Sequence, residues 1–176
     1  ALDSIVDELA ERLIAGQAAG AGTLPLPDIG PLVQLFPALG RVPWISRQLA
    51  PPQEGGATQD VRQKAVEALR ELLRQLAAKG HVVLVVDDLQ WEDGDGAILL
   101  GDLVSPPDPP PLLLVACYRS EDVHRNDCLG GFLARLERLV TSESRGDVAV
   151  GPLKLDEAQQ LAERLLSRTL AGSAVT

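Results

Sequence analysis

The sequence predicts a mixed α/β fold in three layers, in which helices cover both faces of a parallel sheet and a helical segment comes first. Two apolar runs carry this prediction: residues 82–86 read Val-Val-Leu-Val-Val, and residues 112–118 begin Leu-Leu-Leu-Val-Ala. Runs without polar alternation are typical of strands that are buried on both faces. A helical pattern over residues 60–79 is joined to the first run by a short link, as in the crossover of a βαβ unit.

The first 50 residues form the predicted helical segment. Apolar residues at helical spacing predict a helix over residues 2–14, which the Gly/Ala-rich stretch 15–22 should end. These apolar residues are Leu2, Ile5, Val6, Leu9 and Leu13. Residues 24–50 contain five prolines, which permit only short helices broken by turns. Residues 51–57, Pro-Pro-Gln-Glu-Gly-Gly-Ala, are predicted to be an exposed linker.

The remaining elements follow from local signals along residues 58–176. Thr58 or Asp60 should cap the helix that leads to the first strand, and Gly80 should stop it. Between the strands, a helix is expected at residues 94–104 with Asp93 or Asp95 as its cap. Later apolar patterns predict, in order, a helix around residues 132–139, a short third strand at 148–150 and a last helix around 158–166.

Composition disfavours several classes of function. The net charge is −9, from 25 acidic against 16 basic residues. This balance disfavours binding of a nucleic-acid backbone or an anionic membrane surface, because both require clustered Lys and Arg. The longest apolar runs, five residues from Val82 and six from Leu112, fall short of the roughly twenty needed to span a bilayer. No signal sequence is recognised, so a cytoplasmic location is expected, with Cys117 as a buried thiol.

Two adjacent acids, Asp87 and Asp88, come directly after the first predicted strand. The carboxyl ends of parallel strands open onto the crevice where α/β proteins bind ligands. In a phosphate-handling site, Asp87 could hold Mg²⁺ through its water shell and Asp88 could orient an attacking water, which is the form of a Walker B element. The alternative is a strand that leaves the core at a solvated turn. Arg119 ends the neighbouring predicted strand and places a cation nearby.

With these residues together, the chain resembles the nucleotide-binding domain of STAND-type ATPases, AAA-like P-loop proteins of bacterial regulators and multidomain signalling kinases. The resemblance covers residues 58–166 and rests on Asp-Asp-Leu-Gln-Trp-Glu-Asp at 87–93, Leu-Val-Ala-Cys-Tyr-Arg-Ser-Glu at 114–121, and Gly-Pro-Leu at 151–153 followed by Glu-Ala. A weaker match relates the first 50 residues, with Leu-Phe-Pro and Arg-Val-Pro, to a helical stretch of kinase-linked members.

The resemblance implies a role for each matched residue. It makes Asp87 the acid that holds Mg²⁺, Asp88 the acid that activates water, and Arg119 the sensor of the ATP γ-phosphate. It also implies a P-loop NTPase core over residues 58–151 and the start of a helical lid at 152–176. Arg119 could instead be a surface cation that pairs with Glu121 or Asp122, and Trp91 is expected to be a packing residue rather than a base-stacking platform.

The phosphate loop of this family is missing from the sequence. No stretch fits Gly-x-x-x-x-Gly-Lys-Ser/Thr, the pattern that supplies backbone N–H donors, a lysine and a hydroxyl to the phosphates and the metal. Either the loop lies upstream of Ala1 in a longer protein, or the chain is a degenerate relative. The first explanation is the expectation here, because the chain contains no Met and opens abruptly in a helical pattern.

The function that these observations imply is the carboxyl-terminal part of an ATP-binding, Mg²⁺-dependent regulatory ATPase, inactive alone. Its partners would be ATP or ADP and effector domains of the same polypeptide, of kinase or transcription-regulator type. Two alternatives stay open. The chain could be a non-catalytic interaction or scaffold domain, or a different Mg²⁺-dependent phosphoryl-transfer enzyme with an unrelated phosphate loop.

Overall fold

The computed structural model describes residues 2–18, 24–26, 29–49, 58–92, 94–139 and 144–172. They form two compact units, Ala1–Thr141 and Ser142–Thr176. The helices and strands of the first unit are α1 (Leu2–Ala18), α2 (Ile29–Leu35), α3 (Pro43–Ser46), α4 (Thr58–Ala77), β1 (Val83–Val86), α5 (Gly94–Val104), β2 (Leu113–Ala116) and α6 (Asp127–Leu139). The second unit contains α7 (Leu155–Gly172).

Strands β1 and β2 form a two-stranded parallel sheet, as the sequence predicts. Val83 lies opposite Leu113, and the register continues to Val86 opposite Ala116. A parallel pair needs a crossover, which α5 provides between the two strands. The described residues therefore have a helix-rich α/β fold with a small parallel sheet.

The core of the first unit joins the helices to one face of this sheet. On β1 the inward side chains are Leu84 and Val86, which belong to the same buried cluster as Leu72 and Leu73 of α4 and Leu100 of α5. Helix α4 packs mainly against α2, and α5 packs against α6. Burial of these aliphatic side chains is the main force that holds the elements together.

The other face of the sheet is exposed, and this corrects the predicted burial of both faces. Val83 and Val85 are 52% and 56% exposed, and Leu113 across the ladder is 58% exposed. Among the described residues, no third layer covers this side. The apolar sequence of a strand indicates that both faces suit burial, but it does not state which segment covers each one.

An apolar groove of about 810 Å³ runs along β1 and ends at Asp87. Helix α1 contributes Leu9 and Leu13 to one wall, and α4 contributes Leu76. This groove connects the exposed part of the sheet with the carboxyl end of the first strand.

Arginine side chains tie the helices together at their polar ends. Arg70 of α4 donates from Nε to the carbonyl oxygen of Leu103 at 3.2 Å and from Nη2 to those of Asp102 and Ser105. The last carbonyls of a helix lack partners within it, so Arg70 caps α5. Arg135 of α6 pairs with the Asp102 carboxylate at 2.6 Å, which fixes α6 against the same helix.

The proline-rich stretch contains short helices, as predicted. Besides α2 and α3 it has a 3₁₀ helix, Pro37–Arg41, and Leu39 and Ile45 are fully buried. The predicted linker at 51–57 and the predicted cap Asp93 lie outside the described residues. None of the helices in the described part of the chain is long and apolar enough to cross a membrane.

The second unit differs from the prediction at residues 148–150, where the structure has no strand. Val148 and Val150 are 86% and 91% exposed. Their β-branched pattern suits a strand, but a strand is stable only when a neighbour completes its backbone hydrogen bonds. Helix α7 does form, and the Glu157 carboxylate accepts a 2.8 Å hydrogen bond from the N–H of Lys154, which caps its first turn.

Candidate functional site

The two strands end together, and this places the predicted site residues at one edge of the sheet. The N–H of Cys117 donates to the carbonyl oxygen of Val86 at 2.8 Å, and the N–H of Leu89 donates to the carbonyl oxygen of Cys117 at 2.9 Å. The ladder therefore continues past both strands. Asp87 and Asp88 leave β1, and Arg119 leaves β2, on the same side.

Both carboxylates are exposed at this edge. Asp87 accepts a 3.1 Å hydrogen bond at Oδ1 from the N–H of Asp88. Asp88 has φ 53 and ψ 46, in the left-handed region, which Asp and Asn tolerate better than most residues. This backbone turn redirects the chain into the 3₁₀ turn Leu89–Trp91.

Gln90 is a buried polar residue of the site that no local sequence signal predicts. It is 5% exposed. Its Nε2 donates to Asp88 Oδ1 at 2.7 Å, and its Oε1 accepts from the N–H of Arg119 at 3.3 Å. One side chain therefore connects the acid that follows β1 to the residue that follows β2.

Asn126 secures the other side of this connection. Its Nδ2 donates to the carbonyl oxygen of Gln90 at 2.7 Å, and its Oδ1 accepts from the N–H of Leu129 at 3.0 Å. The second bond is an N-cap of α6. An Asn just before a helical pattern is a recognisable cap signal. The bond from Asn126 to Gln90 cannot be predicted in the same way, because the two residues are 36 positions apart in the sequence.

The Arg119 side chain is exposed. Among the residues that the structure describes, it forms no ion pair, and Glu121 and Asp122 do not bind it. The alternative of a surface cation paired with either acid is therefore not observed. Its guanidinium is available to a ligand at the strand ends, although its role as a sensor remains a prediction.

Two predicted core residues near the site are exposed. Cys117 follows β2 instead of lying within it, and its thiol is exposed. Trp91 is 76% exposed, so it is not a packing residue. Its position in the short 3₁₀ turn, beyond the buried Leu89 and Gln90, directs it away from the core.

Glu92 and Gly96 show a close approach beside the site. The carboxyl group of Glu92 occupies the space that a Cβ on residue 96 would take, at the start of α5. A negative charge at a helix N-terminus is favourable because the first N–H groups and the helix dipole point towards it. A side chain at residue 96 would have to displace the Glu92 carboxyl group, which is the flexible end of that side chain.

The donor set suits Mg²⁺ but is incomplete for a triphosphate. Mg²⁺ prefers carboxylate oxygens and is commonly held by one or two of them together with water and substrate phosphates. Asp87, the predicted metal acid, provides such oxygens directly after β1. In the described part of the chain, no three Asp, Glu, His or Cys side chains cluster as a metal site, and the sequence offers no Gly-x-x-x-x-Gly-Lys-Ser/Thr loop for phosphates.

Comparison with known proteins supplies a family for this arrangement. The AAA ATPase domain family matches residues 2–115, which is more than half of the chain. The chain belongs to this family. Membership in the AAA ATPase domain family implies an ATPase-type module that uses ATP, typically with Mg²⁺. No curated protein and no solved structure shows significant similarity to the chain.

The matched residues of this AAA ATPase domain include α1, β1 and all of β2 except its last residue, Ala116. Asp87, Asp88 and Gln90 lie within the match, whereas Arg119 lies four residues beyond its end. The family match therefore covers the acidic half of the site.

Proposed function

We propose that the chain is the carboxyl-terminal part of a STAND-type regulatory ATPase module, in which bound ATP or ADP sets the state of effector domains on the same polypeptide. The observation that carries this proposal is the shared edge of the parallel sheet, where two exposed acids and an exposed arginine follow adjacent strands. A preceding segment would supply the phosphate loop. That segment would also complete a three-layer fold over the exposed sheet face.

Each residue has a distinct chemical task in this proposal. Asp87 binds Mg²⁺ through its carboxylate, and the ion, when bound, neutralises charge on the phosphates. The Asp88 carboxylate orients the attacking water by accepting a hydrogen bond from it. The Arg119 guanidinium binds the γ-phosphate, because its planar group of N–H donors matches phosphate oxygens.

The second unit would be the start of a helical lid, as in the family that the chain resembles. Two observations support this: the resemblance, and the amphipathic pattern of α7, in which Leu161 and Leu165 are exposed. An apolar stripe of this kind suits packing against another element.

The exposed apolar sheet face supports a second candidate, a non-catalytic interaction domain. Val83, Val85 and Leu113 could bind a partner directly, with Asp87 and Asp88 serving only to solvate the strand end. The two candidates differ in their response to nucleotide, since only the ATPase module requires the acids for ligand binding.

Calorimetric titration of MgATP tests the proposal in the protein that includes the phosphate-binding segment. The ATPase module predicts binding that requires Mg²⁺ and is weakened by Asp87→Asn. Asp95→Asn is the matched control, because Asp95 is an exposed acid of α5 outside the strand ends. Binding that is absent, or equally unaffected by both substitutions, would favour the interaction domain.

A further inference from the structure

Gln90 is the one buried side chain in the described part of the chain that bonds to both strand-end segments. Both ends of its amide form hydrogen bonds: Nε2 donates to Asp88 and Oε1 accepts from the Arg119 N–H. The reverse orientation of the amide would place its oxygen against the carboxylate and its NH₂ against an N–H donor. Both contacts would then be repulsive, so the surroundings determine the orientation.

Because the Gln90 side chain is buried, losing either of its hydrogen bonds would cost free energy. Gln90 is 5% exposed, and a buried amide that loses its partners costs about 1–3 kcal/mol. Gln90 is therefore held where both bonds can form, and the Asp88 carboxylate is held with it. Asn126 fixes the backbone of the same residue to the start of α6. Movement of the segment from Arg119 to Asn126 would consequently displace Gln90.

We propose that Gln90 is a positioning residue, which orients the Asp88 carboxylate and couples it to the segment that carries Arg119. The inference rests on the proposed function, in which Asp88 orients water and Arg119 binds the γ-phosphate. Contact of Arg119 with a γ-phosphate would then reach Asp88 through one side chain. Gln90 itself touches neither water nor nucleotide in this role.

The first experiment does not depend on ATP hydrolysis. In the 176-residue chain, Gln90→Leu removes the acceptor of the Arg119 N–H, and hydrogen exchange at that amide should rise about fivefold or more. Gln90→Glu keeps an acceptor at the same place, so exchange at Arg119 should stay near the wild-type rate. Equal exchange rates in the wild type and Gln90→Leu would show that the coupling does not exist, whatever the function of the protein.

The second experiment measures turnover in the protein that includes the phosphate-binding segment. Gln90→Glu replaces the donor facing Asp88 with a second carboxylate and should lower kcat about tenfold or more, with the KM for MgATP within a few fold. As the pH falls, the introduced carboxyl group gains a proton and can donate again. The kcat of this variant relative to the wild type should therefore recover towards acidic pH.

Gln63→Glu is the matched control. Gln63 also donates to a carboxylate, that of Glu67 at 3.1 Å, but on the exposed surface of α4. The same chemical change there should leave kcat and its pH profile unaltered. Equal kcat in the two variants, or a loss in Gln90→Glu without recovery at low pH, would overturn the positioning role. Wild-type protein without any ATPase activity would instead refute the proposed function, and hydrogen exchange would still decide the coupling.

Discussion

The N–H of Cys117 lies 2.8 Å from the carbonyl oxygen of Val86, so a hydrogen bond joins the two segments at the point where both strands end. This bond aligns the residues that follow. Asp88 and Arg119 consequently share one edge of the sheet, and the buried Gln90 amide joins them.

The 176-residue chain alone should hydrolyse no ATP. Without the phosphate loop and its lysine, the transferring phosphoryl group has neither positioning nor charge neutralisation, which supply most of the catalysis in this chemistry. Phosphate release from ATP and Mg²⁺ measures this directly. Turnover that EDTA and Asp88→Asn both abolish would reveal a phosphate site elsewhere in the chain.

Arg119→Ala should reduce the preference for ATP over ADP in the protein that includes the phosphate-binding segment. The proposed partner of the guanidinium is the γ-phosphate, which ADP lacks, so ATP affinity should fall while ADP affinity changes little. Competition binding gives both constants. Arg125→Ala is a control on a nearby exposed arginine, and an equal loss of affinity for both nucleotides in Arg119→Ala would remove the sensor role.

Arg70→Ala should destabilise the first unit by about 2–3 kcal/mol, because it removes charge-assisted hydrogen bonds to the last carbonyls of α5. Urea denaturation measures this loss. Arg12→Ala is the control: Arg12 pairs with Glu8 at 2.8 Å on an exposed helix surface, where such pairs contribute less than about 1 kcal/mol. Similar losses in both variants would show that Arg70 does not act as a helix cap.

Glu71 should make stability depend on pH in the acidic range. The Gln75 amide donates to its carboxylate at 2.8 Å and Arg74 pairs with it; together they lower the pKa of Glu71 despite the opposing effect of burial. Because the pKa is lower in the folded state, the stabilisation is present above the pKa of the unfolded chain and is lost as the pH falls through the folded-state pKa.

Glu71→Gln should therefore flatten the acidic limb of stability against pH. Urea midpoints between neutral pH and the acidic range test this. An unchanged acidic limb would mean that the Gln75 and Arg74 contacts do not favour the carboxylate.

The sequence predicts the parallel strands and the long helices because their signals are local. The apolar runs that contain β1 and β2 end in polar residues, and α4 has apolar residues on one face. The strand predicted at 148–150 does not form, since its stability depends on a neighbour that the local pattern cannot specify. The sequence also does not predict that Val83 and Val85 are exposed, because the burial of a strand face depends on which segment covers it.

The site was predictable in part. Two acids after a buried strand and an arginine after the next one indicate a shared edge, and the register places them there. The role of Gln90 cannot be predicted from the sequence, because its side chain bonds to Arg119, 29 residues away, as well as to the nearby Asp88. The prediction for Trp91 is wrong because an aromatic residue usually packs in the core, whereas the turn at Asp88 directs this one outward.

Asp88→Asn and Asp87→Asn, compared in the protein that includes the phosphate-binding segment, test the central claim most directly. Asn tolerates the positive φ of residue 88 and keeps an oxygen for Gln90, so the substitution removes charge without straining the backbone.

Asp88→Asn should lower hydrolysis about a hundredfold or more and leave MgATP affinity within a few fold, because an acid that orients water acts in the transition state. Asp87→Asn should weaken Mg²⁺-dependent binding as well as turnover. Parallel measurement of Kd and kcat separates the two acids. The same small change in both constants for both variants would contradict the account and identify the two carboxylates as a solvated strand end.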